Sequence, residues 1–152
     1  MAETKYVIFK LDGERYGIPI DRVEQILSNQ TPTRIPRTHK MVLGVFELRG
    51  ETLAAVDLRT RLDFAKKEGD ANYIIVSGSF GRTALRVDTV DGIEDFDAAE
   101  IDESPEMLKD TNDAFFKSIG RKKDQLTVLL DTEHLLPQDI AKAVSKAHKV
   151  AA

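Results

Sequence analysis

Short apolar runs separated by turn residues make up most of the hydrophobic pattern along the chain. Residues 6–11 read as a strand that ends at Asp12-Gly13, a strong hairpin signal, and residues 16–20 read as the return strand. The pattern predicts that the chain begins with a β-hairpin.

Residues 44–62 carry a second hairpin signal. An apolar strand leads to an Arg49-Gly50 turn, and the returning apolar strand ends at Asp57. Residues 41–43, just before it, are open to two interpretations, a short helical turn or the entrance to the strand. The first half of the chain is therefore predicted to consist mainly of strands.

Two other segments have helical character. Val23, Ile26 and Leu27 have helical spacing, which predicts a short helix over residues 21–27 with Asp21 as its cap. Residues 137–150 are predicted to form a C-terminal helix, with Pro137 in its first turn.

The chain repeats itself under two linked shifts. A shift of 67 positions brings Tyr6-Val7-Ile8 onto Tyr73-Ile74-Ile75, and one of 74 positions brings Val56-Asp57 onto Leu130-Asp131. The difference between the shifts fits an insertion of about seven residues in the acidic segment around residues 95–110. We interpret the pattern as an internal duplication.

The predicted fold is one mainly β domain over residues 1–152, made of two small five-stranded SH3-like β-barrels. The first subdomain spans about residues 16–70 and the second about residues 71–136. The N-terminal strand, at about residues 5–11, is a candidate for a strand that both subdomains share. We expect the two halves to pack together and to leave a groove where they meet.

Composition narrows the functional classes. The 152 residues are 41% hydrophobic and 32% charged, with a net charge of −4, which is typical of a globular protein and argues against general nucleic-acid binding. The absence of cysteine excludes disulfides, thiolate zinc sites and thiol catalysis. No apolar run is long enough for a membrane span and no signal peptide is evident, so a cytoplasmic location is expected.

Charge is unevenly distributed along the chain. The first half has a basic stretch and the second an acidic one, which we interpret as solvated loops or, alternatively, as the two faces of a dipolar scaffold. The basic residues are Arg34, Arg37, Lys40, Arg49, Arg59 and Arg61.

Catalytic and cofactor chemistry finds little support. The three histidines lack neighbouring ligands at metal-binding spacing, so neither a metal nor a cofactor is expected. Asp131-Thr132 resembles the loop of an aspartic protease, but Glu133 stands where that loop needs glycine. A barrel that binds single-stranded nucleic acid is a further alternative. Such a barrel needs exposed aromatic residues among its basic ones, and the pattern of this chain does not indicate them.

The hairpin motifs in combination resemble the CheW family of bacterial chemotaxis adaptors. They are Gly44-Val45, Leu48-Arg49-Gly50 and Val56-Asp57-Leu58-Arg59. The resemblance implies a scaffold without catalytic residues that couples the cytoplasmic tips of methyl-accepting chemoreceptors to the regulatory domain of the histidine kinase CheA. It implies a place in receptor arrays at the inner face of the membrane, without membrane insertion or nucleic-acid binding. A CheW-like module of another sensory pathway is the alternative.

The same resemblance implies a receptor-binding surface. Carried over by position, its residues are Val23, Gln25, Ile26, Thr33, Gly44 and Arg49. Family members often have glutamate where this chain has Gln25, and that glutamate is a natural charge partner for the hairpin arginine. We therefore hypothesise that Arg49 pairs with a different carboxylate here, or points freely at the receptor.

The second copy of the hairpin differs from the first at its turn. It has Lys122-Lys123-Asp124 in place of Leu48-Arg49-Gly50. From this difference we infer that only the first copy presents its turn to a partner.

Overall fold

The computed structural model describes residues 4–36, 40–78, 81–103 and 116–135. The predicted C-terminal helix, residues 137–150, lies outside these ranges, as does much of the predicted insertion. No helix in the described ranges has the length and apolar character needed to cross a membrane.

Strands account for most of the described residues, so the predicted mainly β class is confirmed. In the first half the elements are β1 (Thr4–Leu11), β2 (Glu14–Pro19), β3 (Val23–Leu27), β4 (Val42–Leu48), β5 (Glu51–Asp57) and α1 (Leu58–Arg61). In the second half they are β6 (Asn72–Gly78), β7 (Gly81–Val87), β8 (Thr89–Phe96), β9 (Ile101–Asp102), β10 (Phe116–Lys122), β11 (Gln125–Leu130) and α2 (Thr132–Leu135). Short 3-10 turns occupy Ile20–Arg22 and Ala98–Glu100.

The predicted short helix over residues 21–27 is wrong. The segment is a 3-10 turn followed by strand β3, in which half-buried residues alternate with exposed ones. Val23 and Leu27 are four positions apart, a spacing that lies on one face of a helix and also on one face of a strand. Pairing with β6 decides in favour of the strand.

The strands form two sheets. Sheet A has the order β8-β1-β2-β11-β10-β9, and sheet B has the order β3-β6-β7-β5-β4. The hairpin β1–β2 thus completes a sheet whose other strands come from the second half, and β6–β7 completes a sheet made from the first. Strands of different halves pair in parallel as β2 with β11 and β5 with β7, and in antiparallel as β1 with β8 and β3 with β6.

The sheets therefore do not coincide with the predicted subdomains, residues 16–70 and 71–136. The predicted boundary follows chain order, whereas the strands pair across it. Strand β1, expected to be open to sharing, pairs with β2 and β8 within sheet A. Closure of the sheets into barrels stays a prediction.

Three apolar clusters lie among the described residues, and one of them joins the two sheets. The largest, here the shared core, takes residues from both sheets, among them Phe9, Ile18, Val56, Ile74 and Leu85. A smaller sheet B cluster contains Phe46, Leu53, Tyr73 and Ile75. A sheet A cluster contains Tyr6, Ile8, Phe96 and Leu129.

Most of the central strands are buried on both faces. In β1, Val7 and Phe9 enter the shared core, while Tyr6 and Ile8 enter the sheet A cluster. Alternate side chains of a strand point to opposite faces, so one strand serves two clusters. This explains the nearly continuous apolar runs in the sequence.

Candidate functional site

Strand β3, at one edge of sheet B, carries three of the six predicted site residues. Val23 opposes Val76 and Gln25 opposes Ile75, so Glu24 is the extra residue of a β-bulge. Val23 is half buried and packs against the shared core. Ile26 is 42% exposed, and is one of the exposed large apolar side chains together with Ile93 and Leu126.

The bulge brings Glu24 to an arginine on another strand. Arg82 of β7 donates from Nε to the Glu24 carboxylate at 3.0 Å and from Nη1 to the carboxylate of Glu51, at the start of β5. Arg82 therefore ties the β3 bulge to the β4–β5 hairpin. Neither Glu24 nor Arg82 was predicted as a site residue.

Thr33 and Gly44 are in direct contact. Thr33 and Val45 exchange two backbone hydrogen bonds, with N–O distances of 2.7 and 2.9 Å. Gly44 has φ +146°, and a Cβ atom placed there would lie 2.2 Å from the Thr33 carbonyl oxygen. Only glycine allows this approach, so Gly44 shapes the site through the backbone.

Arg49 sits at the tip of the β4–β5 hairpin with φ 53°. Its side chain is exposed and has no hydrogen-bond or ion-pair partner among the described residues. Of the two hypotheses, pairing with a different carboxylate and a freely pointing guanidinium, the structure agrees with the second. The left-handed backbone at Arg49 and Gly50 is the one that a two-residue hairpin turn requires.

The second hairpin repeats this tip conformation. Lys123 and Asp124 have φ 49° and 64°, against 53° and 80° at Arg49 and Gly50. Lys123 is exposed and, like Arg49, has no partner among the described residues. Both hairpins thus present a cation, and the inference that only the first copy presents its turn to a partner stays a prediction.

Chain geometry links some of the predicted residues and leaves others apart. Thr33 meets Gly44 directly, and Val23, Gln25 and Ile26 share the β3 edge. The link between that edge and the Arg49 hairpin runs through Arg82. The β-bulge at Glu24 has no signature in the local sequence. The sequence signal that points to Arg82 is the 67-residue shift, which pairs Arg82 with Arg15.

Asp131, from the protease alternative, and Asp57, its counterpart under the shift of 74, have structural roles. Asp57 accepts hydrogen bonds from the Arg59 backbone and the Thr60 hydroxyl. Asp131 accepts from the Glu133 backbone and contacts His134 Nδ1 at 2.8 Å. Each carboxylate caps the short helix that follows it. No group of residues suited to hold a metal ion occurs in the described ranges.

A cleft of about 480 Å³ lies elsewhere, beside α2. Its walls include Lys5, Tyr6, Arg22 and Asp131, and none of the six predicted site residues. It therefore shares no residue with the candidate surface.

Comparison with known proteins decides the family. A family model described as a CheW-like domain matches residues 5–139. The chain belongs to the CheW family. The chemotaxis protein CheW of Helicobacter pylori is 31% identical over 137 residues, covering 89% of this chain and 82% of the relative. The chemotaxis protein CheW of Klebsiella aerogenes is 29% identical over 150 residues, covering 95% and 90%.

A solved CheW structure has the same fold. The crystal structure of scaffolding protein TtCheW from Thermoanaerobacter tengcongensis superposes with a TM-score of 0.81 at 27% identity, covering 90% of this chain and 94% of that one. The predicted family, the mainly β fold and the role of a chemotaxis adaptor are thereby confirmed.

Proposed function

We propose that this CheW-family chain is a non-catalytic scaffold that couples the cytoplasmic tips of methyl-accepting chemoreceptors to the regulatory domain of the histidine kinase CheA. The observation that carries the proposal is the CheW-like match across residues 5–139. The match also supports one CheW-like domain as the unit of function. The chain acts, in this proposal, within receptor arrays at the inner face of the membrane.

The receptor contacts the surface formed by Val23, Gln25, Ile26, Thr33, Gly44 and Arg49. Exposed Ile26 supplies apolar contact and exposed Arg49 supplies charge, a combination suited to a helix that docks with apolar and polar edges. Gly44 and Val23 contribute indirectly, through the backbone contact with Thr33 and through packing on the shared core.

The test measures binding of the full chain to a receptor-tip fragment and to the CheA regulatory domain by isothermal titration calorimetry. Wild type binds both. Arg49→Ala weakens receptor binding about fivefold to tenfold, which corresponds to about 1 kcal/mol, and leaves CheA binding unchanged.

Lys123→Ala is the matched control, because it removes a cation from the same turn conformation in the second hairpin. If wild type binds neither partner, the adaptor proposal fails. If Arg49→Ala binds the receptor fragment as tightly as wild type, the assignment of the surface fails and the coupling function stands.

A further inference from the structure

Arg82 holds two carboxylates that lie near the candidate receptor surface. Its guanidinium spans from Glu24, in the β3 bulge, to Glu51, two positions beyond Arg49. All three side chains are substantially exposed, at 34%, 40% and 49% for Arg82, Glu24 and Glu51. Exposed ion pairs add little to folding stability, so the position of these carboxylates matters more than the strength of the pairs.

Sheet A contains the counterpart of this arrangement. Moving back by 67 positions takes Arg82 to Arg15, and moving forward by 67 takes Glu24 to Asp91, which is the bulged residue of β8. Arg15 is 4.0 Å from Asp91 and pairs more closely with Glu94 of the same strand. An arginine beside the acidic bulge is thus common to both sheets.

The two sheets differ in what else the arginine holds. Arg15 donates from Nε to the Thr127 hydroxyl at 3.2 Å, whereas Arg82 donates to the carboxylate of Glu51, which directly follows the turn of the neighbouring hairpin. In sheet B alone the arginine therefore engages an acid next to a hairpin-tip cation. Arg49 stays without a partner among the described residues although Glu51 is two positions away.

We propose that Arg82 is a positioning residue: it holds Glu24 and Glu51 away from Arg49, and so leaves the Arg49 guanidinium free to bind a carboxylate side chain of the docking receptor segment. This inference rests on the proposed function and names the chemistry of its receptor contact. Arginine suits the contact because its planar donors match a carboxylate in two parallel hydrogen bonds.

The experiment compares Arg82→Ala with wild type in binding to the receptor-tip fragment. Removing Arg82 releases Glu51, which then competes for Arg49, and receptor binding weakens about threefold to fivefold. Adding Glu51→Gln to Arg82→Ala removes the competing carboxylate and restores binding to within about twofold of wild type. A purely structural role for Arg82 predicts no such rescue.

Arg15→Ala is the matched control, because it releases the bulge acid of the other sheet and leaves receptor binding unchanged. Arg82→Gln replaces Arg82→Ala if circular dichroism shows that the alanine variant is unfolded. The acidic residues of the receptor fragment are then neutralised one at a time, by Glu→Gln or Asp→Asn. One such change weakens binding by the wild-type adaptor but not binding by Arg49→Ala.

Three results overturn the inference while the adaptor function stands: unchanged binding by Arg82→Ala, loss of binding without rescue, or an Arg49 effect that persists with every neutralised receptor fragment. Failure of wild type to bind the fragment overturns the adaptor proposal itself, and the inference with it.

Discussion

The two halves of the molecule share a backbone and differ in the side chains that stabilise it. Strands β4 and β10 begin and end 74 positions apart, as do helices α1 and α2. Bulges recur at matching positions, between Val42 and Gly44 and between Phe116 and Ser118. The turns and bulges are thus the repeated part of the fold.

An ion pair shows how far the side chains diverge. Arg59, at 4% exposure, donates to Asp12 and Asp88 at 2.7 Å each. The position 74 residues later holds Glu133, which pairs at 3.0 Å with Arg22 and is partly exposed. Each half therefore anchors its short helix with an ion pair, but the sign of the helix residue is reversed and only one pair is buried.

An aromatic pair diverges in a different way. Tyr6 and Phe96 meet edge to face in the sheet A cluster, with ring centroids 5.8 Å apart, and Tyr73 and Phe46 do so in the sheet B cluster at 5.9 Å. The tyrosines are related by the shift of 67, but the phenylalanines are not equivalent. The position 74 residues after Phe46 is Gly120, where a Cβ atom would lie 2.6 Å from the Phe96 ring. The two clusters thus obtain the same contact from different strands.

The largest expected effect comes from breaking the aromatic pair of sheet A. Phe96→Ala removes a fully buried ring and lowers the free energy of unfolding by about 4 kcal/mol. Adding Gly120→Phe supplies a ring from β10, the counterpart of the strand β4 that supplies Phe46 in sheet B, and recovers about a third of the loss. Urea unfolding followed by circular dichroism measures both, since the chain has no tryptophan.

Gly120→Phe alone is the control and destabilises the protein, because its side chain meets the Phe96 ring. If Gly120→Phe is as costly without Phe96 as with it, the two positions do not exchange roles.

A second test separates the two ion pairs. Arg59→Ala removes the nearest cation of the Asp88 carboxylate, which is only 9% exposed, and also removes contact with the Phe64 ring, so the free energy of unfolding falls by about 3 kcal/mol. Glu133→Ala breaks the equivalent exposed pair and lowers it by less than about 1 kcal/mol. Urea unfolding at neutral pH compares the variants, with Arg22→Ala as the other half of the exposed pair. Equal losses for Arg59→Ala and Glu133→Ala would show that burial does not distinguish the pairs.

Local features of the fold could be predicted from sequence, and non-local ones could not. The hairpins at Asp12-Gly13 and Arg49-Gly50 follow from turn residues between apolar runs, and the structure contains both. The exchange of hairpins between halves depends on pairing of strands that are distant in sequence, which local periodicity does not specify. A division at residues 70–71 therefore follows from chain order but does not describe the sheets.

The burial of a charged side chain is a second feature that could not be predicted from sequence. Arg59 belongs to the basic stretch whose pattern predicts a solvated or partner-facing loop, yet it is buried against Asp88. Arg49, in the same stretch, is exposed as predicted. The two arginines differ in their tertiary surroundings, because Asp12 and Asp88 come from turns that lie far apart in sequence.

The smallest effect tests the acid dependence of the Arg59 cluster. A hydrogen bond from Arg59 holds the pKa of Asp12 below its ordinary value of 3.8, with desolvation acting in the opposite direction. A carboxyl whose pKa is lower in the folded state stabilises the fold above its unfolded pKa, and this contribution disappears as the pH falls through the folded pKa. Wild type is therefore more stable than Asp12→Asn at neutral pH, and the gap narrows below about pH 4. Urea midpoints from pH 7 to pH 3 measure the gap. Asp124→Asn, an equal change of charge in the turn of the second hairpin, serves as control. A stability difference that stays constant over this pH range would show that the negative charge of Asp12 does not stabilise the fold by pairing with Arg59.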